Sequence, residues 1–143
     1  MQDCDMVLTL EDMGFEVESS HHETAPAQHE IALHYGEARE MADEVITFKM
    51  AVRTVAKRHG LHATFMPKPR REVNGSAMHI HFSLFKNWKK YFSWNPEDPS
   101  RLSEEAYYFI GGLLAHSREM TLITNPLVNS YKRLVPGFVR LQS

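Results

Sequence analysis

The chain has a single cysteine, Cys4, among 143 residues. That excludes an internal disulfide framework and any multi-cysteine zinc site, and it fits a reducing cytoplasm. Long hydrophobic runs are missing too, so nothing approaches the length of a membrane span. The first residues, MQDCD, are polar and acidic, unlike the start of a signal peptide. Neither sign of charge dominates: 16 basic against 18 acidic side chains leave a formal charge of −2. A global basic field that would draw nucleic acid is therefore absent. No GxxxxGK[ST] and no GxGxxG occurs, which removes the P-loop and the Rossmann nucleotide site. With 43% hydrophobic and 24% charged residues, the composition is that of a soluble globular domain. Its length suits one domain with a sizeable core.

What is present centres on Phe65 to Phe85, FMPKPRREVNGSAMHIHFSLF. From Met78 the apolar residues alternate, which predicts a strand with Met78, Ile80, Phe82 and Leu84 on one face. His79, His81 and Ser83 share the other face, because residues two apart on a strand point the same way. Just before them, Asn74-Gly75-Ser76 is a turn signal that exposes backbone N–H groups. Such a stretch can hold a metal and a phosphate side by side. Two histidines at this spacing also occur as ordinary surface residues, more so in a chain with nine of them.

In chain order, Asp5–Met13 predicts a short amphipathic helix stopped by Gly14. Strands are expected over Phe15–Glu23 and Gln28–Tyr35, separated by Thr24-Ala25-Pro26-Ala27. An antiparallel pairing around that break sets Glu23 about opposite Glu30. Directly opposed side chains have Cβ atoms roughly 4.5–5.5 Å apart. Carboxylates that close repel each other unless a cation or a shared proton sits between them; a solvated hairpin end with two unrelated acids is the plainer alternative. Glu37–His59 carries apolar residues at three and four, from Ala38 through Met41, Val45, Phe48 and Val52 to Ala56, and predicts a long packing helix ended by Gly60. Leu61–Met66 reads as a strand. Lys86–Trp94, KNWKKYFSW, mixes basic and aromatic residues, a pattern seen on nucleic-acid surfaces, but its brevity and the acidic NPEDPS loop behind it favour a solvated hairpin. Ser103 caps a helix with Glu104 and Glu105 in its first turn; the Gly111-Gly112 pair is a weak point, and helix resumes or continues to about Thr124. The tail from Asn129 is irregular and basic.

Together these pieces describe metal-assisted chemistry on an anionic substrate. Carboxylate oxygens suit Mg²⁺ or Mn²⁺, and imidazole suits Mn²⁺ and zinc. Phosphate transfer needs such a cation, donors for the phosphate oxygens and a cationic group for the acceptor. His81, Ser83, Lys68 and Arg133 can supply them.

Four stretches resemble bacterial glutamine synthetase: HHETAPAQHEI (His21–Ile31), KRHGLHATFMPKP (Lys57–Pro69), VNGSAMHIHFSLF (Val73–Phe85) and TNPLVNSYKRLVPG (Thr124–Gly137). They stand in the family's order and at about its spacings, from roughly Leu8 to Gly137. The resemblance implies an ATP-dependent ligase that joins glutamate and ammonia through a γ-glutamyl phosphate, using Mg²⁺ or Mn²⁺. It implies Glu23 and Glu30 as ligands of one metal and His79 as a ligand of a second. His81 and Ser83 fall in the ATP site, and Asn74 and Gly75 at glutamate-binding positions. Arg133 becomes the catalytic arginine that holds the glutamate and phosphoryl end. It implies a cytoplasmic homo-oligomer, in the family a dodecamer of stacked rings, whose partners are glutamate, ammonia and ATP, with neither nucleic acid nor membrane.

The chain departs from the family pattern in three places. Val139 stands where a catalytic-flap glutamate is usual, Arg70-Arg71-Glu72 replaces a mostly apolar segment, and Ala77 replaces a glycine. Residues 1–143 resemble a central slice of the catalytic domain. The amino-terminal β-grasp domain and the carboxy-terminal part find no counterpart. The expected fold is α+β and guanido kinase-like, an antiparallel sheet with the helices at 37–59 and from 103 packed on one face. The isolated chain is expected to be inactive and prone to self-association through unpaired edges. Two other readings stand beside this one: a non-catalytic metal- or nucleotide-binding or subunit-interaction module, and a zinc hydrolase built on His79 and His81.

Overall fold

The computed structural model describes residues 2–92 and 94–135. They form two compact units, residues 2–76 with 132–135, and residues 77–92 with 94–131. Both combine helices with a small antiparallel sheet, so the α+β class holds. Where the sequence led to a single sheet, the described residues form two separate two-stranded sheets.

In the first unit, α1 (Gln2–Asp12) leads into β1 (Val17–His22), β2 (His29–Leu33) and α2 (Ala38–Arg58). Gly14, at φ 93°, ends α1 in the left-handed conformation that a Cβ disfavours. Glu37 caps α2 by accepting the Arg39 N–H at 2.8 Å and the Glu40 N–H at 3.3 Å. The core is Leu10, Phe15 and Ala51, with Met6, Val17, Ile31, Leu33 and Phe48 packed around it. Asp5 and His59 join the two helices at 2.7 Å.

That core fixes the hairpin. Ile31 and Leu33 point into it, so alternation sends Glu30 and Ala32 to the other face. The pairs are His22 with His29, His21 with Glu30, Ser20 with Ile31 and Ser19 with Ala32. A bulge between Val17 and Ser19 then brings Val17 opposite Leu33. Glu30 therefore faces His21, not Glu23 as expected. The turn explains the offset: the Glu23 N–H donates to the Gln28 carbonyl at 2.9 Å, and the Gln28 N–H donates to the Ala25 carbonyl at 3.0 Å. Pro26 and Ala27 (φ 58°) take the two central positions of that tight turn. Glu23 and Glu30 become diagonal neighbours on one face.

The expected strand over Leu61–Met66 is not formed. Its residues run on to Pro67, whose carbonyl accepts the Ser76 N–H at 2.9 Å.

In the second unit, residues 77–84 pair with no strand among the described residues. The predicted His strand is thus corrected: alternation marks a chain ready for a sheet, but a strand needs a neighbour for its N–H and C=O groups. The apolar positions stay exposed, Met78 at 57%, Ile80 at 58%, Phe82 at 53% and Leu84 at 40%. A short hairpin follows, β3 (Phe85–Lys86) against β4 (Lys89–Lys90), where the sequence favoured one. Then come α3 (Glu104–Ala115), α4 (Ser117–Thr124) and α5 (Val128–Arg133), whose last two residues belong to the first unit. The helix expected from 103 to 124 breaks at His116, and α5 replaces part of the tail read as irregular. Ser103 caps α3 through the Ala106 N–H at 3.3 Å and donates to the Tyr91 carbonyl at 3.1 Å. Phe109 packs against Phe82 and Phe92, at centroid distances of 5.8 and 5.1 Å. Asp98 organises the 94–102 loop; hydrogen bonds from the Leu102 N–H and the Tyr107 hydroxyl hold its carboxyl below the ordinary carboxylate value.

The β3–β4 turn is strained. Asn87 and Trp88 sit at φ 51° and 61°, the signs of a type I′ turn, which favours Asn-Gly. Trp88 is 99% exposed and buries nothing in return. The left-handed conformation costs a bulky residue about 1–2 kcal/mol, and glycine gives back part of that in chain entropy. Trp88→Gly is expected to raise stability by about 0.5–1 kcal/mol, read as a rise in the denaturation midpoint; a fall would show that the indole packs.

Candidate metal centre

The outer face of the hairpin gathers three donors. His21 and Glu30 are cross-strand partners, and Glu23 lies two residues beyond His21, so all three project to one side. Each offers a ligand atom, and these atoms lie within 4.8 Å of one another. Nε2 of His21 is 3.2 Å from Oε1 of Glu23, while Oε2 of Glu23 accepts the Thr24 N–H at 3.2 Å. The two carboxylates are half-buried and the imidazole is exposed.

The donor set fits a divalent cation. Oxygens on opposite sides of Mg²⁺ are about 4.2 Å apart, twice its bond length. A spread of at most 4.8 Å therefore closes with small side-chain adjustments. Two carboxylates and an imidazole suit Mn²⁺ at least as well as Mg²⁺. The sequence pointed to Glu23 and Glu30 but not to His21. The signal was available: His21 stands at i−2 from Glu23 on a strand, the spacing used to pair His79 with His81.

A second cluster of candidate residues lies on the same unit. Asn74 and Gly75 are half-buried. A Cβ built on Gly75 would lie 2.3 Å from the Pro67 carbonyl oxygen and 3.1 Å from Cγ and Cδ of Arg133. Glycine is thus required for the chain to pass between the Pro67 carbonyl and the Arg133 stem. The structure brings Asn74, Gly75 and Arg133 together. Lys68 is buried at 6% exposure, and its ammonium donates to the Val73 carbonyl at 2.7 Å, closing the Arg70-Arg71-Glu72 loop. The sequence offered Lys68 for an anion. His79, His81 and Ser83 lie on the second unit, all exposed, on the 77–84 segment, which forms no strand among the described residues. Val139 lies outside the described residues. Two surface hollows are lined from α1, α2 and the residues just after α1, among them Met13, Phe15, Thr47 and Met50; no predicted site residue borders them.

Fold and donor set define an α+β chain with a surface carboxylate–imidazole centre suited to a divalent cation. Comparison with known proteins narrows this. The model of the glutamine synthetase catalytic domain matches residues 2–140, and the chain belongs to that family. It is 56% identical over 134 residues to glutamine synthetase of Clostridium saccharobutylicum and 54% identical to that of Methanosarcina mazei, covering 94% of this chain and 30% of each relative. The chain thus spans about 30% of the length of the curated relatives it matches. Among solved structures, Plasmodium falciparum glutamine synthetase superposes with a TM-score of 0.88 at 40% identity, over 96% of this chain and 26% of that one. GmaS without ligand gives 0.85 at 39% identity, over 93% and 31%.

Gly75→Ala tests the second cluster. The oxygen it would strike also accepts the Ser76 N–H at 2.9 Å, so relief breaks that bond. A loss of about 1–3 kcal/mol is expected, measured by denaturant unfolding. An unchanged midpoint would contradict the close approach.

Proposed function

We propose that this chain is part of the catalytic domain of a glutamate–ammonia ligase, carrying one metal half-site and segments of the nucleotide and glutamate sites. The observation that supports it most is the gathering of Glu23, Glu30 and His21 on one hairpin face, in a chain of the glutamine synthetase family.

In this reading Glu23 and Glu30 hold one Mg²⁺ or Mn²⁺, with His21 as an adjoining donor, and His79 belongs to a second metal. The bound cations supply charge neutralisation on the phosphates. His81 and Ser83 contribute hydrogen bonds to ATP. Asn74 and the Gly75 backbone hold glutamate. The Arg133 guanidinium, with its stem against Gly75, pairs with the glutamate carboxylate and the transferred phosphoryl oxygens. The side-chain carboxylate of glutamate attacks the γ-phosphorus of ATP, releasing ADP and forming γ-glutamyl phosphate. Ammonia then attacks the acyl carbon, phosphate leaves, and glutamine results. Arg133 is the catalytic residue proposed here, because it would touch the group in transfer.

Among the described residues no helix is long and apolar enough to cross a membrane. We take the protein to work in the cytoplasm as a homo-oligomer, the arrangement the family resemblance implies. A second reading, a non-catalytic subunit-interaction module, draws on the alternating exposed residues Met78, Ile80, Phe82 and Leu84. Such an edge is suited to pairing with another chain.

One preparation separates these readings. Equilibrium dialysis with Mn²⁺ and ATP, and a coupled assay for glutamine, are run on the same protein. Expected is nucleotide retention without glutamine formation. Turnover that disappears in Glu23→Gln would overturn the inactivity of the isolated chain. No nucleotide retention, with co-purification of an intact glutamine synthetase, would favour the interaction module. Stoichiometric zinc would revive a hydrolase built on His79 and His81.

A further inference from the structure

We propose that Gln28 is a positioning residue that couples the metal hairpin to the Asn74–Ser76 turn, so that a cation bound by Glu23 and Glu30 tightens that turn. The inference rests on the metal reading above and adds a residue and a linkage to it.

Five hydrogen bonds converge on Gln28. Its carbonyl accepts the Glu23 N–H at 2.9 Å, and its own N–H donates to the Ala25 carbonyl at 3.0 Å. Its side-chain Oε1 accepts the Ala25 N–H at 3.1 Å. Its Nε2 donates to the Gly75 carbonyl at 3.0 Å and to the Ser76 hydroxyl at 3.2 Å. The last two partners are 47 and 48 residues away in sequence. The backbone of Gln28 thus sets where Glu23 begins, and its side chain grips the turn that carries Asn74 and Gly75.

Only a primary amide meets these demands. One end must accept an N–H, and the other must donate two hydrogens, one of them to a carbonyl. A carboxylate at this position would set a negative oxygen against the Gly75 carbonyl; an apolar side chain would leave the Ala25 N–H and the Gly75 carbonyl without this partner. The turn is also held from its far side, where the Ser76 N–H donates to the Pro67 carbonyl at 2.9 Å. Drawing Glu23 and Glu30 inward from their spread of up to 4.8 Å restrains the Glu23 backbone. Through Gln28 that restraint reaches Gly75 and Ser76 by a continuous hydrogen-bonded path. Metal and glutamate sites would then not be independent: ordering one lowers the cost of ordering the other.

The test measures Mn²⁺ binding by the loss of free-ion electron paramagnetic resonance signal. It then reads hydrogen–deuterium exchange in peptides spanning residues 67–78, with and without Mn²⁺. In the parent chain, Mn²⁺ is expected to slow exchange in this segment by about fivefold, the low end of ordinary site-to-site coupling. In Gln28→Ala and Gln28→Glu the slowing is lost. Should Gln28→Ala fail to fold, the near-isosteric Gln28→Met takes its place. Bound Mn²⁺ with no slowing in the parent, or slowing that persists in the variants, overturns the coupling alone. A parent chain that binds no Mn²⁺ overturns the metal reading, and the coupling falls with it.

Discussion

Everything proposed for this chain depends on the register of one hairpin. A side chain on a strand changes face with every one-residue slip. Here two constraints exclude the slip. Ile31 and Leu33 are drawn into the core with Leu10, Phe15 and Ala51, and the Pro26-Ala27 turn closes the far end through the Glu23–Gln28 and Gln28–Ala25 hydrogen bonds. Hydrophobic burial chooses which face points inward, and the turn chooses which residues pair. The result puts His21, Glu23 and Glu30 on the outer face together. The apolar neighbours and the turn place them.

Much of the first unit was legible in the sequence because each signal there is local or periodic. The long helix announced itself by apolar spacing and a terminal Gly60. Both hairpin strands were read to within about two residues of their observed bounds. The same-side placement of Glu23 and Glu30 was legible as well. Their direct opposition was not, because register depends on the turn, and a Thr-Ala-Pro-Ala break admits more than one closure. His21 was marked only by its two-residue spacing from Glu23, a weak signal beside another histidine. The closeness of Arg133 to Gly75 was implied only by the family resemblance, which sets both at the glutamate; no local pattern links positions so far apart.

The second unit shows the limit of periodicity. Met78 to Leu84 alternates cleanly, yet no strand pairs with it among the described residues. Alternation reports which residues would suit a sheet, whereas a ladder requires a second backbone. The exposed Met78, Ile80, Phe82 and Leu84 are the residue of that mismatch. His79, His81 and Ser83 share the segment, so their roles remain proposals resting on motif position. The break at His116 had no marker, since Gly111-Gly112 sat closer to the expected weak point and stayed helical. The short α5 is marked in the sequence only by Lys132 and Arg133 in its last turn, the charge that a helix end favours.

The most direct test of the central claim, that Glu23 and Glu30 together hold a divalent cation, is a thermal melt with and without Mn²⁺ and a non-hydrolysable ATP analogue. It compares the parent chain with the double variant Glu23→Gln/Glu30→Gln. A ligand that binds only the folded state stabilises it by about 2.7 kcal/mol at one hundred times its dissociation constant. The account predicts an upward shift in the parent that vanishes in the variant while the variant still melts cooperatively. An equal shift in both, or none in a parent that melts cooperatively, would contradict it.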